Sequence, residues 1–138
     1  MITENTFMFN IRNVVGYNKA VIKTANSAPV FTRNLFFKNA GISCIGIWSG
    51  TATILNNTFD DNARGFLTIS GQGIAKNNIV TNSWQYGIYG NYTELDYNDV
   101  WNNNPDYSLN NPGPHDISVD PLYLDAADYR YYLEYDSP

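Results

Sequence analysis

The chain has 138 residues, 43% of them hydrophobic, and a net charge of −5, which is one domain's worth of chain with a real core. No run of about 18 apolar residues occurs, which excludes a membrane-spanning helix, and the single Cys44 excludes an intrachain disulfide or a cysteine metal cluster. Residues 1–59 carry Arg12, Lys19, Lys23, Arg33 and Lys38 against Glu4 (+4), whereas residues 90–138 carry ten acids against Arg130 (−9); with no basic stripe, nucleic acid is not the expected partner.

Taken from the N-terminus, Met1 to Asn5 shows no basic or long apolar stretch, so no export signal is read there. The unusual feature of the chain is its twenty Asn residues. Asn is poor in helix and strand interiors, so many turns must use it. The motif Asn-x-apolar-x-x-Asn recurs in phase. It runs from Asn13 to Asn18, Asn34 to Asn39, Asn57 to Asn62, Asn77 to Asn82 and Asn98 to Asn103, with steps of 21, 23, 20 and 21 residues. Three residues before the first Asn stand Phe31, Ile54, Ile74 and Leu95. After the second Asn come small–apolar steps: Ala20-Val21, Gly46-Ile47, Gly65-Phe66 and Gly87-Ile88.

Helical repeats need a 3.6-residue period, and the apolar residues here come instead in short alternating bursts. The spacing predicts an all-β parallel β-helix of about five coils over residues 7–104, each coil holding three short strands. An irregular acidic cap comes next, over 105–138, the whole forming a single domain. Right-handedness is expected from the crossover preference of parallel strands. Asn13, Asn34, Asn57, Asn77 and Asn98 are the expected rungs of a ladder of stacked side-chain amides, placed at left-handed corners that Asn tolerates.

The Asn-x-Ile/Phe-x-x-Asn and Gly-Ile cadence resembles the parallel β-helix repeats of the pectin-lyase-like superfamily. The segment from Asp116 to Asp125, with Asp128-Tyr129-Arg130 and Ser137-Pro138, looks like the tail that follows the last coil in bacterial members. The resemblance implies a groove on the strand after the second Asn turn, and a fold that favours secretion or the cell surface. Val21, Ile47, Phe66 and Ile88 would then face inward, and Ile22, Trp48, Leu67 and Tyr89 outward. Such an apolar stripe asks for a cover: a subunit interface, a sugar, or the chain's own tail.

Catalytic signals are sparse, and the sequence leans away from an enzyme. Asp60, Asp61, Lys38 and Arg64 are weak candidates at one turn, remnants at most of a polysaccharide lyase or glycoside hydrolase. No second carboxyl faces them across a bond as glycoside hydrolysis requires. His115 stands alone in a Pro/Gly/Asn loop. Asp116, Asp120, Asp125 and Asp128 offer calcium ligands of low promise, and no other cofactor or metal site is expected.

Two functions are expected. The first is a non-catalytic scaffold or interaction module, a homodimer pairing through the Ile22, Trp48, Leu67 and Tyr89 face with Phe7 and Phe9 of an uncovered first coil contributing. The alternative is a carbohydrate-binding module using Trp48 and Tyr89, with a polysaccharide as partner; no membrane partner is expected.

Overall fold

The computed structural model describes residues 1–9, 20–41, 43–68, 71–128 and 130–138. It is a parallel β-solenoid. Three sheets of five strands each wrap around one core. Sheet A holds β1 (Ile2–Thr3), β4 (Val30–Thr32), β7 (Thr51–Leu55), β10 (Gln72–Lys76) and β13 (Glu94–Asp96). Sheet B holds β2 (Thr6–Met8), β5 (Leu35–Phe37), β8 (Thr58–Asp60), β11 (Ile79–Thr81) and β14 (Asp99–Trp101). Sheet C holds β3 (Ala20–Thr24), β6 (Ser43–Ile47), β9 (Arg64–Thr68), β12 (Tyr86–Tyr89) and β15 (Tyr107–Ser108). The chain visits A, B and C in turn, so each circuit adds one rung, and the first rung includes residues ahead of Phe7.

Parallel register stacks like on like. Sheet A turns Ile2, Phe31, Ile54, Ala75 and Leu95 inward in one row. Sheet B supplies Phe7, Phe36, Phe59, Val80 and Val100. The rings of Phe7, Phe36 and Phe59 stack 4.7 and 4.8 Å apart, nearly parallel, which matches the interstrand spacing of about 4.8 Å. Sheet C contributes Ile22, Ile45, Phe66, Ile88 and Tyr107.

The amide ladder is present and directional. Each rung donates both its backbone N–H and its Nδ2–H to the Oδ1 of the next: Asn5 to Asn34 (3.1 Å each), Asn34 to Asn57 (3.0 and 2.9 Å), and Asn57 to Asn78 (3.0 and 3.1 Å). Asn78 then donates to Asn98 (3.1 and 2.9 Å), and Asn98 to Asp116 (2.8 and 3.0 Å). The spare amide hydrogen reaches back to the carbonyls of Phe31, Ile54 and Ala75 from Asn57, Asn78 and Asn98. A shorter second ladder links Asn39 to Asn62, and separately Ser83 to Asn103 and Asn103 to Asp106.

Both ladders end on an aspartate. The last rung only accepts, and a carboxylate accepts on every lone pair. Asp116 Oδ2 takes Tyr107 OH and Gly113 N–H besides, so this acid serves the cap rather than a calcium ion. Gly113 lies so close to the Leu95 carbonyl that a Cβ would strike that backbone oxygen.

One expected rung is corrected: the fourth is Asn78, not Asn77. The described ladder begins at Asn5, and the expected rung Asn13 lies outside the described residues. The ladder Asn is also not the left-handed residue. That conformation belongs to the residue before it: Glu4, Arg33, Asn56, Asn77 and Tyr97 at the A–B corner, with φ between 53 and 56°. Phe9, Lys38, Asp61, Asn82 and Asn102 form the matching column at the B–C corner. The ladder supplies enough hydrogen bonding to hold even Tyr and Arg in a backbone region that Gly and Asn usually occupy.

Beyond β15 the chain bridges back to β14 through Ile117. It then forms an antiparallel hairpin, β16 (Tyr123–Asp125) and β17 (Arg130–Leu133), with a short 3-10 turn, Ala126–Asp128, between them.

Candidate functional site

The hairpin lies on the outer face of sheet B. The outward row there reads Met8, Phe37, Asp60, Thr81 and Trp101. Tyr131 packs its ring 5.7 Å from Phe37 and donates its hydroxyl to Asp60 Oδ2 at 2.9 Å, and the Tyr123 hydroxyl meets Thr81 Oγ1 at 3.4 Å. Asp60 is thus only 6% exposed, its other oxygen accepting from Thr81 and Asn82. Burial first, then the Asp60 carboxylate, pushes the Tyr131 hydroxyl well above the usual phenol range.

This position removes Asp60 from the catalytic candidates that face solvent. Asp61 stands in the B–C corner column with Lys38 one rung earlier. Burial raises its carboxyl, Asp60 adds to the rise and Lys38 opposes it. Arg64 is 4% exposed, its Nε bonded to Gln85 Oε1 and its guanidinium 5.3 Å over the Tyr86 ring. Asp60 points under the hairpin while Arg64 opens sheet C, so the four residues do not converge on one open site.

The expected apolar stripe on sheet C is also rearranged. Ile22 is in register with Ile45 and Phe66 and packs on the core. The neighbouring register row is Lys23, Gly46, Leu67, Tyr89 and Ser108. Trp48 folds back across Gly46, filling the space a Cβ would take, with Lys23 Nζ 4.6 Å above its ring. Tyr89 lies 4.7 Å from Tyr86, and the Leu67 side chain falls outside the described part. Phe7 belongs to the core stack, whereas Phe9 stays 46% exposed against Phe37.

The open site is elsewhere, beside the hairpin. The second outward row of sheet B reads Thr6, Leu35, Thr58, Ile79 and Asp99, in register through all five rungs. Two cavities share it as their floor. One, of about 640 Å³, spans Thr6, Leu35 and Thr58 and is walled by Glu4, Arg33, Asn56, Tyr131 and Tyr132. The other, of about 270 Å³, spans Ile79 and Asp99 and is walled by Asn77, Tyr97, His115, Pro121 and Leu133. They are separate cavities over one continuous register row, and together they are referred to as the trench. One bank is the left-handed A–B corner column and the other is the hairpin.

Along the banks, Arg33 Nη2 pairs with Glu4 Oε1 at 2.8 Å. His115 Nδ1 lies 2.9 Å from Asp96 Oδ1, and its ring stacks on Tyr97 at 4.6 Å. Asp99 accepts the Val119 N–H at 3.1 Å, and burial raises its carboxyl above the ordinary range. None of this was foreseen from the sequence, since a trench made by a tail crossing a sheet leaves no local motif. The one signal was the tyrosine-rich tail itself, which needed an apolar surface to lie on.

By its fold the chain is a parallel β-solenoid with internal Asn ladders. Comparison with family models, with curated proteins and with solved structures finds no match to it.

Proposed function

We propose that the chain is a carbohydrate-binding β-solenoid that takes an extended oligosaccharide in the trench beside its C-terminal hairpin. One observation carries this: a single registered row floors both cavities through all five rungs. Its banks offer the planar polar groups that pair with sugar hydroxyls, Arg33, Glu4, Asn56 and Asn77. Tyr132 (68% exposed) and Tyr97 supply aromatic faces for the C–H side of a sugar ring. Two cavities in line over one row suit successive units of a polymer better than a single small ligand buried over most of its surface.

Peptide partners fit less well. Strand addition needs an open sheet edge, and a docked helix needs an apolar floor. This floor is a sheet face whose backbone is already paired, and it includes Thr6, Thr58 and Asp99. The likeness of the repeats to pectin-lyase-like proteins supports a carbohydrate ligand but assigns no bond cleavage to this chain.

A glycan array probed with the full chain tests the proposal. Bound glycans should lose about tenfold or more in affinity with Tyr132→Ala or Arg33→Ala, both at solvent-facing positions. No bound glycan, or hits insensitive to both changes, would sink it.

Self-association is the second reading. It rests on Met8 and Phe9, which stay 44% and 46% exposed on adjacent positions of the first rung. Light scattering at micromolar concentration decides it, because a mass of 15.6 kDa means a monomer.

A further inference from the structure

The trench ends differ in charge. At the first-rung end Arg33 and Glu4 neutralise each other. At the far end Asp99 lines the smaller cavity and is 8% exposed, and Val119 N–H is the one hydrogen-bond donor to its carboxylate among the described residues. No described basic side chain forms an ion pair with it: Lys76 is held by Glu94, and His115 by Asp96. Asp106 and Asp120 add repulsion to the burial that disfavours its charge. A carboxylate placed so deeply with no cation beside it, facing a cavity, leaves room for a cation from outside.

Building on the trench reading, we propose that this end is a subsite for an amino sugar, its ammonium group held by the Asp99 carboxylate. A metal ion fits worse. Calcium takes six or more oxygen ligands; Asp106 and Asp116 already spend oxygens as terminal ladder rungs, and Asp120 Oδ1 accepts the Leu122 N–H. An ammonium group has three donors and needs only one carboxylate with amide or hydroxyl acceptors around it. Asn77, exposed on the bank, supplies an acceptor, and the stacked Tyr97 and His115 rings form an aromatic wall for the sugar.

The experiment is calorimetric titration of the full chain at about pH 6, where a primary amine is still largely charged. Three β-1,4-linked tetramers are compared: glucosamine, N-acetylglucosamine and glucose. The glucosamine tetramer should bind about tenfold or more tighter than the two neutral ones, and added salt should weaken it alone. Asp99→Asn keeps the acceptor for Val119 and should lower glucosamine binding to the neutral level while leaving the other two unchanged. Circular dichroism of the variant checks its fold. The chain's only histidine, His115, gives a second readout: its ring resonances should shift with glucosamine tetramer in the unaltered chain.

Equal binding of all three tetramers, or a preference that survives Asp99→Asn, overturns the amino-sugar assignment and leaves the trench standing. Absence of binding by any of the three in the unaltered chain, with no glycan hit on the array, overturns both.

Discussion

Exchanging amide for carboxylate in opposite directions tests the polarity of the main ladder. In Asn57→Asp the introduced carboxylate can still accept from Asn34, but it loses the donor that serves the carbonyls of Phe31 and Leu55 and the Oδ1 of Asn78. Those acceptors would face a negative charge at a site 1% exposed. Each buried polar group left unpaired costs about 1–3 kcal/mol, and an uncompensated buried charge adds several more. At neutral pH the change should therefore cost at least about 4 kcal/mol, a large share of a total stability of about 5–15. Burial raises the introduced carboxyl's pKa, so the penalty is full above that raised value and shrinks as the pH falls and the group takes a proton. The reverse change, Asp116→Asn, turns an acceptor into a donor against Gly113 N–H and Tyr107 OH. Its cost should be about 2–3 kcal/mol, and acid should not relieve it. Urea unfolding followed by tryptophan fluorescence, at neutral pH and near pH 4, measures both differences. If Asn57→Asp is as stable as the unaltered chain, or its deficit does not shrink in acid, the ladder does not run in the direction described.

Three further outcomes are expected of the cap and the trench. Tyr131→Phe removes the hydroxyl from Asp60 Oδ2 and should loosen the hairpin by about 1–3 kcal/mol; hydrogen exchange should quicken at Glu134, whose N–H bonds the Leu122 carbonyl. Burial, with nearby acids, raises the Tyr107, Tyr123 and Tyr131 hydroxyls, so the stability held in their neutral forms is present below the ordinary phenol pKa of about 10 and lost above it. Alkaline absorbance titration should then show these three ionising only together with unfolding, after the exposed tyrosines. Asp99→Asn should stabilise the chain at neutral pH, because a raised carboxyl penalises the fold once ionised; the gain should vanish as the pH falls below the ordinary carboxylate range, and thermal melts across that range would show it.

The solenoid was legible because its repeat is written in residues that the backbone itself requires. Asn34, Asn57 and Asn98 were recognised as rungs, since a buried amide spanning two coils has few substitutes. The fourth rung slipped by one because Asn77 and Asn82 imitate the motif, while the true pair is Asn78 and Ser83. In the first coil the motif beginning at Asn5 was passed over for the one at Asn13, because the step from Asn5 to Asn34 is 29 residues rather than about 21. Loop length displaced sheet C too: the inward partner of Phe66 is Ile45, not Ile47. A one-residue slip turns a strand over, which is why Ile22 was placed outside. The trench was not legible at all. It arises where Tyr123 and Tyr131 lie against rungs more than forty residues away, and that is a tertiary contact without a local pattern.

The left-handed columns divide the labour between interior and exterior. Glu4, Arg33, Asn56, Asn77 and Tyr97 share one backbone conformation, though their side chains range from acid and base to amide and phenol. The residue that maintains each bend is its neighbour, so the bend tolerates whatever side chain stands on it. Such a column behaves as a row of sockets at a fixed pitch, where surface chemistry can be rewritten one rung at a time without renegotiating the fold. Selection, or a designer, could change what the trench prefers by altering only these positions.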